Sequence, residues 1–74
     1  MPAPTVAALD LEVLHRGRHE DAFQAAGDPH DPAWLQKQLR GWLAGRKWAE
    51  SRWGEFELVA RAAGEWKQLA KVRG

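Results

Sequence analysis

The stretch from Asp31 to Gly45, DPAWLQKQLRGWLAG, constrains the fold more than any other part of this 74-residue chain. Asp31 is a favourable N-cap residue, and Pro32 suits the first helical turn, where its missing N–H would have no helical partner. Gly45 is placed to end the helix in a left-handed conformation. Apolar residues recur between them at the spacing of one helical face: Leu35, Leu39, Trp42 and Leu43. The stretch therefore predicts one amphipathic helix over residues 32–44.

The segment before this helix has the period of a strand. In Ala8–His15, ALDLEVLH, apolar residues alternate with acidic ones, namely Leu9, Leu11 and Val13 with Asp10 and Glu12. This alternation is typical of a half-buried strand, and in a helix the two acidic side chains would point to nearly opposite sides. The glycine of Arg16-Gly17-Arg18 predicts a three-residue turn, and Glu20–Ala25 predicts a return strand with Phe23 facing inward.

The segment after the helix allows two interpretations. We interpret 46–53 as a connection, and 55–61 (EFELVAR) alternates as a strand does, with a turn at 62–65 and a return over 66–72. The same residues also form an amphipathic helix, in which Phe56, Val59, Ala63, Trp66 and Ala70 share one side. The alanine content favours the helix, and Gly64 opposes it by about 1 kcal/mol.

A lone strand is not stable in water, so the first strand needs partners. We therefore predict an α+β fold, a small ββαββ domain whose antiparallel sheet is covered on one face by the single helix. The alternative is an all-α bundle of three or four helices. Pro2 and Pro4 favour an extended tail over residues 1–7, followed by a single domain over 8–74. The expected core comprises Leu9, Leu11, Val13, Phe23, Leu35, Leu39, Trp42, Leu43, Phe56, Leu58 and Trp66.

The net charge of +1 conceals an acidic and a basic half. Residues 1–33 contain two basic and six acidic side chains, whereas residues 34–74 contain nine basic and four acidic ones. A basic half is suited to phosphate or to an acidic partner, and it is equally suited to the acidic half of its own chain or of a second copy. Apolar runs are too short to cross a membrane, and the start does not resemble a signal peptide, so we expect a cytoplasmic protein.

Catalytic chemistry has no visible motif here. The chain has no cysteine, no glycine-rich phosphate cradle and no nucleophile elbow around Ser51. His15 and His19 lie four residues apart, but their ligand pattern is incomplete, so we interpret them as surface histidines. We expect neither enzymatic activity nor a cofactor nor a metal.

One set of residues has the composition of a binding site, and we call it the basic-aromatic cluster. It comprises Arg16, Arg18, Arg46, Lys47, Trp48, Arg52 and Trp53, which lie around two predicted loops. Tryptophan and arginine are favoured at protein interfaces, which suggests a protein-interaction or assembly module, with a protein partner or self-association. The alternative is a small DNA-binding protein, because cations neutralise phosphate and planar rings stack on bases. Cysteine-free chains of this size without catalytic residues are often accessory proteins of phages or mobile elements.

Overall fold

A computed structural model describes residues 7–74, which form four strands, one α-helix and one short 3₁₀ helix. Their order is β1 (Ala7–His15), β2 (Arg18–Gly27), α1 (Pro32–Gly45), the 3₁₀ helix (Glu50–Glu55), β3 (Phe56–Ala62) and β4 (Gln68–Arg73). The strands form one antiparallel sheet in the order β2-β1-β3-β4, with α1 on one face. The ββαββ prediction is confirmed, and the all-α alternative is wrong. Residues 1–6 of the predicted tail lie outside the described residues, and residue 7 begins β1.

The β1–β2 hairpin has a tighter turn than the sequence suggested. His15 pairs with Arg18, so the loop holds two residues, Arg16 and Gly17, rather than three. Their φ angles of 53° and 81° are both positive, as in a type I′ turn, whose twist matches that of the flanking strands. The pairing register then shifts by one residue, which leaves Glu20 as the extra residue of a bulge in β2.

The second hairpin, β3–β4, shows that the strand interpretation of the C-terminal segment is right and the helical one wrong. Gly64 turns the chain with a φ of 78°, a conformation that glycine adopts without a steric penalty. Pairing resumes at Gln68, so Trp66 falls in the loop and is 96% exposed. Its assignment to the core is therefore wrong, because the loop ends two residues later than the alternation implied.

The core lies between α1 and the sheet. Eight of the expected core residues are fully buried: Leu9, Leu11, Val13, Leu35, Leu39, Leu43, Phe56 and Leu58. Phe23 and Trp42 are half-buried and pack against this cluster. Val59 and Ala60 are also buried, and the prediction missed both. Each fully buried leucine contributes about 2 kcal/mol of transfer free energy, so three leucines of α1 are its main attachment to the sheet.

The helix begins as the sequence predicts. The Asp31 carboxylate accepts hydrogen bonds from the backbone N–H groups of Ala33 (3.1 Å) and Trp34 (3.2 Å). Trp34 lies outside the leucine stripe because its ring rests on the backbone of Gly27 at the end of β2. Any side chain at position 27 would overlap that ring, so this glycine allows α1 to approach the sheet closely.

Candidate binding surface: the basic-aromatic cluster

The topology gathers the basic-aromatic cluster at one end of the domain. Antiparallel pairing places the end of β1, the start of β2 and the start of β3 at the same end of the sheet. The end of α1 and the 3₁₀ helix pack there too, and the backbone N–H of Arg16 donates to the carbonyl of Glu55 (3.0 Å). Segments some 40 residues apart in sequence thus meet at this end.

The C-terminus of α1 is followed by a lysine in the left-handed backbone conformation, which is unfavourable for residues other than glycine. Arg46 is the C-cap residue, and Lys47 after it has a φ of 61°. The N–H of Trp48 donates to the carbonyl of Leu43 (3.1 Å), and the N–H of Lys47 donates to that of Ala44 (3.0 Å). This is the Schellman pattern, in which the left-handed residue is usually glycine. The prediction that Gly45 adopts this conformation is wrong, since the helix continues through it.

The two tryptophans of the cluster are packed rather than free. Trp48 makes an edge contact with the ring of Phe56 (4.9 Å between centroids), and the Arg52 guanidinium lies over Trp48 at 5.0 Å. Trp53 is half-buried, and its indole N–H donates to the carbonyl of Trp48 (3.0 Å). His15 stacks on Phe56 at 4.2 Å and lies 5.4 Å from Trp48 between ring centroids. These rings close the end of the core and fix the position of Arg52.

Glu55 is the centre of the charge arrangement at this end. One of its carboxylate oxygens lies 2.9 Å from Nε2 of His15 and 3.2 Å from Nε of Arg16, and Arg52 donates to both oxygens at 3.2 and 3.3 Å. The hydrogen bonds from Arg52, and then from His15, lower the pKa of Glu55 to about 2. The carboxylate therefore stays ionised, and it forms ion pairs with Arg16 and Arg52 inside the domain.

A second acidic residue, Asp21, forms an ion pair with another arginine of the cluster, Arg46. Asp21 accepts hydrogen bonds from the indole N–H of Trp42 (2.8 Å) and from Arg46 (2.9 Å), and the Arg46 guanidinium lies 5.2 Å from the Trp42 ring centroid. The bond from Trp42, and then the N–H of Ala22, lowers the pKa of Asp21. This contact ties the end of α1 to β2, so Arg46 also has a structural role.

Two cations of the cluster remain available to a partner. Arg18 and Lys47 are exposed, and neither forms an ion pair with any residue in the range 7–74. The five other members are engaged with Glu55, Asp21 or the aromatic rings. All seven residues that the sequence analysis grouped lie at this end of the domain, but that analysis did not identify His15, Asp21, Glu55 and Phe56 as their partners. The charge difference between the two halves of the chain was a signal only for Asp21, which lies in the acidic half and pairs with Arg46 of the basic half.

The described residues contain neither a cluster of metal ligands nor a helix that could span a membrane. Across residues 7–74, no group of three or more histidine, cysteine, aspartate or glutamate side chains is arranged to hold a metal ion. His19 lies 2.7 Å from Glu12 on the opposite face of the sheet from α1, and Arg61 lies 3.0 Å from the same carboxylate. In the described part of the chain, no helix is long and apolar enough to cross a bilayer. No protein-family model, curated protein or solved structure matches the chain.

Proposed function

We propose that this domain is a non-enzymatic interaction module that docks an acidic segment of a partner protein on its basic-aromatic cluster. The observation that carries the proposal is the backbone at Arg16 and Lys47. They are the two non-glycine residues of positive φ within residues 7–74, and both belong to the cluster. A residue with a Cβ in this region loses about 1 kcal/mol relative to glycine. The Arg16 guanidinium is paired with Glu55 inside the domain, whereas Lys47 forms no ion pair within residues 7–74. A basic side chain at this strained position therefore suggests that the charge of Lys47 serves a contact outside the chain.

The packing of the aromatic rings favours a protein partner over a nucleic acid. Trp48 is covered by Phe56 and Arg52, and Trp53 is held by its bond to a backbone carbonyl. Stacking of bases needs open ring faces. An acidic peptide needs only cations at a rigid surface with an apolar centre, and that is what these residues provide.

Nucleic-acid binding is the second candidate, because Arg18 and Lys47 are exposed cations without a carboxylate partner among residues 7–74. Their charges are suited to phosphate, while the carboxylates of Glu55 and Asp21 reduce the field around them. The proposal also includes a cytoplasmic location and an accessory role in a phage or mobile element. The location rests on apolar runs too short to cross a membrane, and the accessory role rests on the small, cysteine-free composition.

The test is a tryptophan-fluorescence titration of the full chain with a glutamate-rich dodecapeptide, and with generic duplex and single-stranded DNA, over a salt series. We expect saturable binding of the peptide that weakens with salt, and weaker binding of DNA. The variant Lys47→Gly should raise the melting temperature by relieving the left-handed lysine, and should weaken peptide binding about fivefold. Stabilisation together with weaker peptide binding would show that Lys47 lowers the stability of the fold and contributes to the binding site.

The matched control reverses the same number of charges at positions outside the basic-aromatic cluster. Arg18→Glu with Lys47→Glu should abolish peptide binding, whereas Arg40→Glu with Lys67→Glu should leave it nearly unchanged. Equal loss in both double variants would mean that net charge alone drives binding, and would contradict a site at the cluster. DNA binding that is tighter than peptide binding and falls steeply with salt would favour the second candidate.

A further inference from the structure

The helix leaves one strand of the sheet incompletely covered. A helix is about 10 Å across, whereas four strands at about 4.8 Å spacing are wider than that. Here α1 packs mainly on β4 and β3, and Asp21, Phe23 and Ala25 of β2 remain half-buried. A groove of about 410 Å³ lies between α1 and β2, lined by Asp21, Phe23, Lys37, Gln38, Gly41 and Trp42.

Gly41 is the second observation that points to this groove. It lies within α1, where glycine is less favourable than alanine, and it is exposed. A Cβ at this position would meet no atom within 4 Å. Gly27, in contrast, is required by the ring of Trp34. Packing inside the domain therefore explains Gly27 but gives no reason for Gly41 or Gly45. Of these two open glycines of α1, Gly41 is the one that lines the groove, where close approach of a partner backbone would give a reason for it.

The lining of the groove indicates the chemistry of its occupant. Phe23 and Trp42 provide an apolar floor and wall, and both are half-buried. Lys37 is exposed at the rim and forms no ion pair with another residue of 7–74. Asp21 already accepts bonds from Trp42 and Arg46, so it offers little to a cation. An apolar stripe flanked by acidic residues complements this surface.

The position of the groove between α1 and β2 favours a helix over an extended strand. A strand that paired with the free edge of β2 would lie beside the sheet, away from the surface of α1. A helix lying in the groove reaches Phe23 below and Gly41 at its side, and a small residue allows two helices to approach closely. Such a helix would complete the layer that covers the sheet.

We infer that the groove between α1 and β2 docks an amphipathic helix of a partner protein, with its apolar stripe on Phe23 and Trp42 and an acidic residue facing Lys37. This surface adjoins the basic-aromatic cluster, because Asp21 and Trp42 contact Arg46, but none of the seven cluster residues lines it, and the inference goes beyond the proposed function.

The experiment is a selection from a displayed library of 16-residue peptides with a fixed amphipathic helical pattern, against the purified 74-residue chain. We expect selected peptides enriched in Asp and Glu beside the apolar stripe, with amide chemical-shift changes at Phe23, Gly41 and Trp42. Gly41→Gln should weaken their affinity about tenfold, and Lys37→Glu should weaken the acidic peptides about threefold.

The control is Gly45→Gln, because Gly45 is also an exposed glycine of α1 with free space for a side chain. Both glutamine variants should raise the melting temperature, since glutamine is the better helix former, but only Gly41→Gln should weaken binding. The inference is overturned if the selection gives no peptide, or if the selected peptides bind the Gly41→Gln variant as tightly as the parent. If the selected peptides instead lose affinity for the Lys47→Gly variant, they bind at the basic-aromatic cluster, and the inference about the groove is wrong.

Discussion

The face of the sheet beneath α1 is apolar along its central strands, whereas the opposite face of the same strands carries charged side chains. On the covered face, β1 and β3 contribute residues that are fully buried, such as Leu11 and Leu58. On the open face the same strands contribute Glu12 and Arg61, whose side chains are 25% and 31% exposed. Alternation alone assigns each residue to a face, so one strand sequence encodes both the core and a polar surface.

Val59 is the exception that explains how the open face is built. It lies on the charged face, yet it is only 2% exposed. Its cross-strand neighbours are Glu12 and Lys71, and these pair diagonally with Arg61 (3.0 Å) and Glu57 (2.8 Å) respectively. The aliphatic stems of these four side chains cover the valine while their charged ends reach water. The open face therefore buries one valine beneath its ion pairs.

The largest expected effect lies on the covered face. Leu39→Ala should lower the free energy of unfolding by about 3 kcal/mol, because it leaves a cavity between α1 and the sheet where Leu39 is now fully buried. Urea denaturation followed by tryptophan fluorescence measures this change. Arg40→Ala, at the next and exposed position, should change stability by less than about 0.5 kcal/mol. Equal losses in both variants would contradict the assignment of the two helix faces.

The open face should show a smaller effect at its buried valine. Val59→Ala should cost about 1.5 kcal/mol, because it removes two buried methyl groups. The same truncation at Val72, which is half-buried on the helix side of β4, should cost less. The urea midpoint of each variant gives the comparison. A loss at Val72 that exceeds the loss at Val59 would mean that the ion pairs do not exclude water.

The ion pair above Val59 should contribute little by itself and should depend on pH and salt. A double-mutant cycle of Glu12→Gln and Arg61→Gln should give a coupling free energy of about 0.5 kcal/mol that shrinks in high salt. Hydrogen bonds from His19, and then from Arg61, lower the pKa of Glu12 below its ordinary 4.5. The folded state thus holds the ionised form more firmly than the unfolded chain does. This stabilisation is present above pH 4.5 and is lost as the pH falls below it, so coupling that persists well below the folded pKa of Glu12 would refute this account.

The fold could be predicted where the signal is local. The alternation around Leu11, the N-cap at Asp31 and the leucine stripe of α1 each depend on neighbouring residues, and each prediction is confirmed. The grouping of the basic-aromatic cluster also followed from the predicted loops. The two halves of opposite charge meet inside the domain, as the pairs Glu12–Arg61 and Asp21–Arg46 show.

The errors occurred where the structure depends on partners distant in sequence. Glu55 meets His15 because β1 and β3 pair in one particular register, which no local pattern reveals. The left-handed residue after α1 is Lys47 rather than Gly45 because the helix runs one residue further than its glycine suggests. Burial of Val59 requires charges from three strands, so alternation counted it as an exception rather than as part of the core.

The smallest expected effect is at Trp66, the one large apolar side chain among residues 7–74 that is exposed. Because it is 96% exposed in the β3–β4 loop, Trp66→Ala should change the free energy of unfolding by less than about 0.5 kcal/mol. Its emission in the folded protein should match that of tryptophan in water, which is measured on a variant whose other four tryptophans are phenylalanine and whose fold is checked by circular dichroism. A loss above 2 kcal/mol would mean that Trp66 packs on the core after all. A negligible loss shows that burial here follows from which face of the sheet a residue occupies rather than from its hydrophobicity.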